Sequence, residues 1–132
     1  MRITSFLVLL GAIISSDACA WRWADLWSTQ DQQAQSLMQK GQFDKAQERF
    51  ERADWAAAAA YKAGNYEKAA QLGEKLDSAS AYYNQGNALA HMQKYEQALE
   101  FYNKALAANP EDEDAKFNHQ LVSELLKKQL QD

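Results

Sequence analysis

Proline, glycine and cysteine are all scarce in this chain. Its 132 residues include one proline, five glycines and one cysteine. So few proline and glycine residues leave little interior punctuation for a β-rich fold, and the composition therefore predicts an all-α protein with long helices. The proportions of hydrophobic (47%) and charged (24%) residues are typical of a globular protein, and the length leaves room for one domain.

An excess of positive charge is also missing. The chain has 14 lysine and arginine residues against 18 aspartate and glutamate residues, which gives a net charge of −4 at pH 7. Affinity for nucleic acid rests mainly on lysine and arginine side chains that neutralise phosphates. The charge balance therefore argues against nucleic acid as a partner.

The first twenty residues have the three-part plan of a secretory signal. Arg2 supplies one positive charge, residues 3–14 are almost wholly apolar, and Ala18 and Ala20 are the small residues that a signal peptidase requires. An apolar stretch of about 12 residues is too short to span a bilayer comfortably. We therefore predict an exported protein, with a signal peptide at 1–20 and a helical domain at 21–132.

Two other interpretations of this segment stay open. An uncleaved N-terminal anchor is one, because Asp17 and the short basic region depart from an ideal signal. Lipidation of Cys19 is the other, although Ser16 and Asp17 stand where a larger apolar residue and a small neutral one are needed. Cleavage after Ala20 would remove the only cysteine, and with it any disulfide or thiol chemistry.

One short motif occurs three times in the domain, each time as an aromatic residue, an acid, a polar residue and an alanine. The copies are residues 43–46, 66–69 and 95–98. Two copies follow a turn centred on Gly41 or Gly64, and the third follows Gln93 and Lys94. Because glycine readily takes the left-handed conformation that ends a helix, the predicted unit is helix, tight turn, helix. The motif alanines would allow two antiparallel helices to approach closely.

Capping residues place the predicted helix starts. Thr29 and Gln32 are spaced as a capping box, and Asp54 and Ser78 are the predicted N-caps of the third and fifth helices. The expected helices span about 29–40, 43–52, 55–63, 66–76, 79–93, 95–108 and 111–130. The last one starts in an acidic run and ends near two lysines, which suits the helix dipole. It shows Phe117, Leu121 and Leu125 beside an outer polar face and is predicted to cap the stack.

Residues 79–110 look like a nearly complete tetratricopeptide repeat. Six residues stand at that repeat's characteristic spacing: Gly86, Leu89, Ala98, Tyr102, Ala105 and Pro110. The resemblance implies a short α-solenoid of stacked antiparallel hairpins, with its best-formed repeat at 79–112. The motif alanines lie 23 and then 29 residues apart, short of the usual 34, so the earlier hairpins must have shorter helices or share one.

Four segments carry a closer resemblance: residues 26–33, Trp55 with 61–66, residues 83–90, and Asn118 with 121–122. They are similar to the tetratricopeptide portion of bacterial aerotolerance (Bat) proteins, whose repeats accompany or follow a von Willebrand factor A domain. That family's repeats lie on the outer side of the inner membrane, which implies the periplasm or that membrane surface as the location. This chain has no von Willebrand domain, so a separate protein would have to supply it.

Three asparagines and Tyr83 are the candidate partner-binding residues of the repeat region. Asn84 and Asn87 fall at the sixth and ninth positions of the repeat's first helix. Asn118 falls at the sixth position of the helix that follows Pro110. The resemblance implies that such residues line the concave groove and hold a peptide, which an amide's donors and acceptor suit. Local bonding between helices is the alternative. Tyr83 stands where a carboxylate clamp has lysine, so acidic chaperone tails are not expected ligands.

Four tryptophans are an unusual concentration for so small a domain. Tryptophan suits surfaces with one apolar and one wet side, so Trp21 and Trp23 are predicted to dock a partner or a membrane surface. Trp27 and Trp55 are interpreted as core of the first hairpin.

Residues that would carry catalysis or hold a metal are not apparent. His91 and His119 have no second histidine or cysteine at ligand spacing and are predicted to be surface or helix-end residues. The acids Asp112 and Asp114 fit a solvated helix start better than acid/base chemistry. We see no nucleophile turn and no phosphate-binding glycine loop. No cofactor and no enzymatic activity are predicted.

These observations favour a scaffold of the bacterial cell envelope whose groove binds a protein or peptide, with a von Willebrand factor A-domain membrane protein as candidate partner. The alternative is a structural or assembly subunit that self-associates or docks through its tryptophan-rich start, in peripheral contact with a membrane. Fewer than three full repeats leave a small core and exposed ends, so a homodimer through a terminal hairpin is also expected.

Overall fold

The computed structural model describes residues 28–132, which fold into seven α-helices without a β-strand in that range. The helices are α1 (Gln30–Gln39), α2 (Phe43–Arg49), α3 (Ala53–Lys62), α4 (Tyr66–Gly73), α5 (Ala79–His91), α6 (Tyr95–Ala108) and α7 (Glu113–Gln129). Each helix packs against its neighbours in sequence, and α5 also contacts α3 and α7. The predicted all-α stack of hairpins with a C-terminal capping helix is confirmed.

The predicted signal segment at 1–20 and the residues Trp21, Trp23 and Trp27 lie outside the described part of the chain. Within residues 28–132, no helix combines the length and apolar character needed to cross a membrane.

Each of the three hairpins has a tight turn of the same type between its two helices. Gly41, Gly64 and Gln93 all have positive φ angles, of 72°, 79° and 60°. In the second turn the N–H of Asn65 donates to the Ala60 carbonyl at 2.9 Å, and the other two turns close with the same bond. This is the Schellman pattern that satisfies the last carbonyls of a helix. The two glycine turns are as predicted, and in the third a glutamine takes the left-handed conformation.

The helix starts agree with the predictions at two positions. The Thr29 hydroxyl accepts the N–H of Gln32 at 3.2 Å, and the Gln32 side chain accepts the N–H of Thr29 at 2.9 Å, which forms the expected capping box. The Ser78 hydroxyl accepts the N–H of Ala81 at 3.2 Å. Each bond satisfies a backbone donor that a helix start leaves without an intrahelical partner.

The prediction for Asp54 is wrong. The N-cap of α3 is Arg52, and Asp54 lies in the first turn, where its carboxylate pairs with the Arg52 guanidinium at 2.7 Å. Asp31 of α1 accepts the N–H of Glu51 at 2.7 Å, so a distant carboxylate satisfies a backbone donor just before α3. The N-cap residue Arg52 makes no side-chain cap hydrogen bond to α3.

The first hairpins are compact because their helices are short. Helices α1 to α4 have 10, 7, 10 and 8 residues, against 13 and 14 for α5 and α6. Three predicted helices extend two or three residues too far, since α2, α4 and α5 end at Arg49, Gly73 and His91. Shorter helices, and not a shared helix, therefore explain the close spacing of the motif alanines.

Alanine dominates the interior. Of the sixteen buried apolar residues in the described part of the chain, thirteen are alanine, and Tyr102 is the one large side chain that is fully buried. A Cβ atom added to Gly86 would stand 2.7 Å from the Tyr102 ring, so α5 and α6 are closer at this point than any side chain on residue 86 would allow. Small residues thus set the spacing of the helices and leave a groove along α3, α5 and α7.

Candidate functional site: a groove along α3, α5 and α7

The groove consists of two clefts that share Tyr61. The larger, cleft A, has a volume of about 570 Å³ and lies between α3 and α5, beside the loop that joins α4 to α5. Its apolar walls include Ala57, Ala58, Ala69, Leu76 and Ala81, and its polar residues include Arg52, Asp54, Lys62, Asp77, Ser80, Asn84 and Gln85. Cleft B has a volume of about 380 Å³ and lies between α5 and α7. It is lined by Tyr61, Tyr83, Asn87, Ala90, His91, Tyr102, Asn118, Leu121, Val122 and Leu125.

A hydrogen-bond network joins three helices in cleft B. The buried Tyr102 hydroxyl of α6 donates to Asn87 Oδ1 of α5 at 2.7 Å. The Asn118 Nδ2 group of α7 donates to the same oxygen at 3.0 Å and to the Tyr83 hydroxyl at 3.1 Å. Sequence reasoning left local bonding between helices as an alternative for these asparagines, and the structure shows that Asn87 and Asn118 do bond in this way.

The network still leaves polar groups for a ligand. Within residues 28–132, neither the Asn87 Nδ2 group nor Asn118 Oδ1 makes a hydrogen bond. Asn84 is exposed in cleft A and also makes no hydrogen bond within residues 28–132. The structure thus brings Tyr83, Asn87 and Asn118 together and places Asn84 in the neighbouring cleft. Amide donors and an acceptor line both halves of the groove.

Burial controls the protonation of Tyr102. Removal from water raises the pKa of its hydroxyl well above the usual tyrosine range, and the nearby Tyr83 and Tyr61 raise it further. The hydroxyl is therefore a permanent donor to Asn87 near neutral pH, which fixes the orientation of that amide. Burial also raises the pKa of Tyr61.

An aromatic cluster lies where the two clefts meet. The Tyr66 ring stacks on the His91 imidazole with 4.4 Å between centroids and 7° between planes. Tyr61 meets both rings edge-on, at 5.4 and 5.5 Å. His91 is exposed in the last turn of α5, as predicted. Tyr61 was not predicted as a groove residue, although it lies just before the turn at Gly64 and lines both clefts.

The charges around cleft A are balanced. Arg52 pairs with Asp54 and covers the Trp55 ring at 4.1 Å from its centroid. The guanidinium lowers the pKa of the Asp54 carboxyl. Asp77 accepts a hydrogen bond from the Tyr82 hydroxyl. The described lining of the cleft therefore contains two cations and two anions and no cluster of basic side chains.

Trp55 is half-buried at the start of α3, where its ring meets Phe50 edge-on at 5.7 Å. It links α3 to the end of α2. Trp55 is therefore a packing residue of the first two hairpins and does not line either cleft.

Helix α7 presents apolar side chains to solvent. Its buried residues are Ala115 and Val122, whereas Phe117 and Leu121 are 67% and 45% exposed. The sequence pattern placed a polar face outermost, and the structure corrects this, since part of the apolar stripe is uncovered. Leu121 and Leu125 belong to cleft B, so the exposed stripe continues the apolar wall of the groove.

In the range 28–132, no three histidine, cysteine, aspartate or glutamate side chains are grouped so as to hold a metal ion.

With this geometry established, comparison with known proteins identifies the fold. Residues 79–112 match the model of the tetratricopeptide repeat. A solved structure described as the first TPR of Spaghetti (RPAP3) bound to HSP90 peptide SRMEEVD is 18% identical, with a TM-score of 0.67 over 74% of this chain and 90% of that one. The Sgt2 TPR domain from Aspergillus fumigatus is 19% identical, with a TM-score of 0.68 over 78% and 80%.

Comparison with curated proteins gives no significant match. The family match over residues 79–112 and the two solved structures show that the chain contains a tetratricopeptide repeat and has the fold of tetratricopeptide domains. The spacing from Gly86 to Pro110 predicted this fold.

Proposed function

We propose that this protein is a non-catalytic scaffold that binds a partner protein or peptide in the groove along α3, α5 and α7. The observation that carries the proposal is the surface formed by clefts A and B, which meet at Tyr61. In it the Asn84 amide, the Asn87 Nδ2 group and Asn118 Oδ1 make no hydrogen bond within residues 28–132. A bound peptide backbone offers both donors and acceptors to such amides. The tetratricopeptide fold supports this role, because a structural neighbour is bound to a peptide.

The chemistry of the groove indicates which peptide it takes. The neighbour's peptide SRMEEVD carries three acidic side chains. In this chain the lining of cleft A is charge-balanced, and that of cleft B is aromatic and aliphatic. Apolar side chains gain most by leaving water for such walls. The expected ligand is therefore a segment with apolar or aromatic side chains, and an acidic tail would find no basic cluster.

The cellular setting is a further part of the proposal. The signal-like residues 1–20 and the resemblance to aerotolerance proteins support an exported protein of the bacterial cell envelope, with a von Willebrand factor A-domain membrane protein as the partner. Trp21 and Trp23 would add a second contact, to the partner or to the membrane surface. Binding then takes place without turnover of the partner.

A capture experiment tests the groove and the partner together. The full chain, tagged at its C-terminus, is crosslinked in the producer's cell envelope, and captured proteins are identified by mass spectrometry. Asn84→Ala is the informative variant because Asn84 is exposed, lines cleft A and makes no hydrogen bond within residues 28–132. The control is Asn103→Ala, which alters an exposed asparagine of α6 outside both clefts.

The expected result is capture of a von Willebrand-domain protein, with affinity reduced about fivefold or more by Asn84→Ala and unchanged by Asn103→Ala. Equal affinity of the two variants would show that the partner binds elsewhere. Capture of a different protein, with the same dependence on Asn84, would retain the groove and replace the partner.

A further inference from the structure

Five residues of α7 form a stripe that runs along the edge of cleft B and is partly open to solvent. They are Asp114, Phe117, Leu121, Leu125 and Lys128, and their spacings of three, four, four and three residues place them on one side of a helix. Phe117 and Leu121 are 67% and 45% exposed. The residues that pack against the rest of the stack, Ala115 and Val122, lie on another side of the helix.

The residues of the stripe are spaced symmetrically on either side of Leu121. Phe117 stands four residues before Leu121 and Leu125 stands four after it, while Asp114 stands seven before it and Lys128 seven after it. An antiparallel second copy would therefore place Leu121 against Leu121, Phe117 against Leu125, and Asp114 against Lys128. Each of the last two contacts occurs twice, as two-fold symmetry requires.

Charge selects the antiparallel orientation. Helix α7 has Asp112, Glu113 and Asp114 at its start and Lys127 and Lys128 at its end. Two antiparallel copies bring the acidic end of each helix to the basic end of the other, whereas a parallel pair would bring like charges together. Asp114 and Lys128 make no ion pair within the described part of the chain, so both are available for this contact.

We propose that two copies of this protein pair through α7, antiparallel and with Leu121 at the two-fold axis. One helix pair is at the small end of interface sizes, so the association is weak and depends on concentration. Leu121 and Leu125 also line cleft B, and a second copy on α7 would cover that end of the groove. Self-association would then compete with ligand binding in cleft B.

Analytical ultracentrifugation of the full chain at low salt over a wide concentration range tests the pairing. Wild type is expected to shift reversibly from monomer to dimer as concentration rises. Leu121→Asp should abolish the dimer, because it places two carboxylates at the symmetry axis. Circular dichroism of each variant checks that the helices are retained, which is expected because residue 121 is nearly half exposed.

Charge reversal gives the sharper test. Asp114→Lys and Lys128→Asp should each weaken the dimer at least tenfold, and the double variant should restore it, because the two charges then meet again with signs exchanged. Both reversals oppose the dipole of α7, so greater helix stability would not explain restoration. Glu48→Lys, an exposed charge reversal on α2, is the control and should leave the dimer unchanged.

The pairing is wrong if wild type remains monomeric throughout, or if the double variant dimerises no better than the single ones. These measurements use no partner protein, so their outcome does not affect the proposal that the groove binds a ligand, which the capture experiment tests.

Discussion

At the scale of single residues, two buried glutamines have opposite hydrogen-bonding status. Gln47 is 8% exposed, and both ends of its amide are bonded: Nε2 donates to Asp44 at 3.5 Å, and Oε1 accepts from Asn65 at 3.4 Å. Gln85 is 3% exposed, and its Nε2 donates to the Ala70 carbonyl at 3.2 Å. Its Oε1 has no donor in the described part of the chain. A buried acceptor left without a partner costs about 1–3 kcal/mol.

Gln85→Leu is therefore expected to raise the free energy of unfolding by about 1 kcal/mol, because it removes the unpaired oxygen and keeps a similar volume. The Ala70 carbonyl keeps its bond from the N–H of Glu74 at 3.1 Å. Gln47→Leu should lower the free energy of unfolding by about 1 kcal/mol, since it removes paired groups. Urea denaturation of both variants measures these changes. A similar loss of stability in the two variants would contradict the expectation that their effects have opposite signs.

At the scale of helices and turns, local signals predicted most of the elements. The capping box at Thr29, the N-cap at Ser78 and the two glycine turns are all sequence patterns whose physical cause lies within a few residues. Asp54 was misjudged because α3 begins at Ala53, two residues earlier than predicted, shortly after Glu51, whose N–H bonds to Asp31 twenty residues upstream. A pattern read over four residues does not contain that contact.

The turn at Gln93 provides a test at this scale. Its φ of 60° costs a residue with a Cβ atom about 1 kcal/mol, which glycine does not pay. Gln93→Gly should therefore raise the thermal midpoint, and the matched change Gly64→Ala, in the same kind of turn, should lower it. Apart from its two chain neighbours, no atom of residues 28–132 lies within 4 Å of the added Cβ on residue 64, so strain in the backbone is the cause. Equal midpoints for Gln93→Gly and wild type would contradict the expected strain.

At the scale of the whole molecule, the candidate site was only partly predictable. The repeat spacing placed Asn84, Asn87 and Asn118 on the helices that line the groove. It did not show that Asn118 reaches Asn87 and Tyr83 across 31 and 35 residues of sequence, because that depends on how α7 packs on α5. The exposure of Phe117 depends on the same packing.

Because Tyr102 is buried in this network, the free energy of unfolding is expected to change with pH in the alkaline range. Folding raises the pKa of this hydroxyl, so its contribution to stability is complete below about pH 10 and is lost as pH rises further, when the unfolded chain releases the proton first. Tyr102→Phe should cost about 1 kcal/mol near pH 8 through the lost bond to Asn87. The difference from wild type should shrink above pH 10. Guanidinium denaturation between pH 8 and 11 measures it, and a constant difference would contradict this expectation.

The alanine interior also determines how this protein can be studied and how it can vary. Truncation to alanine, the usual way to probe a core, has almost nothing to remove, because thirteen of the sixteen buried apolar residues in the range 28–132 are already alanine. Enlargement is the informative change, because each added methylene must push two helices apart. The width of the groove is therefore set partly at positions that line neither cleft, such as Ala60 of α3 and Ala88 of α5. A single larger side chain at one of them would be a route to a different specificity.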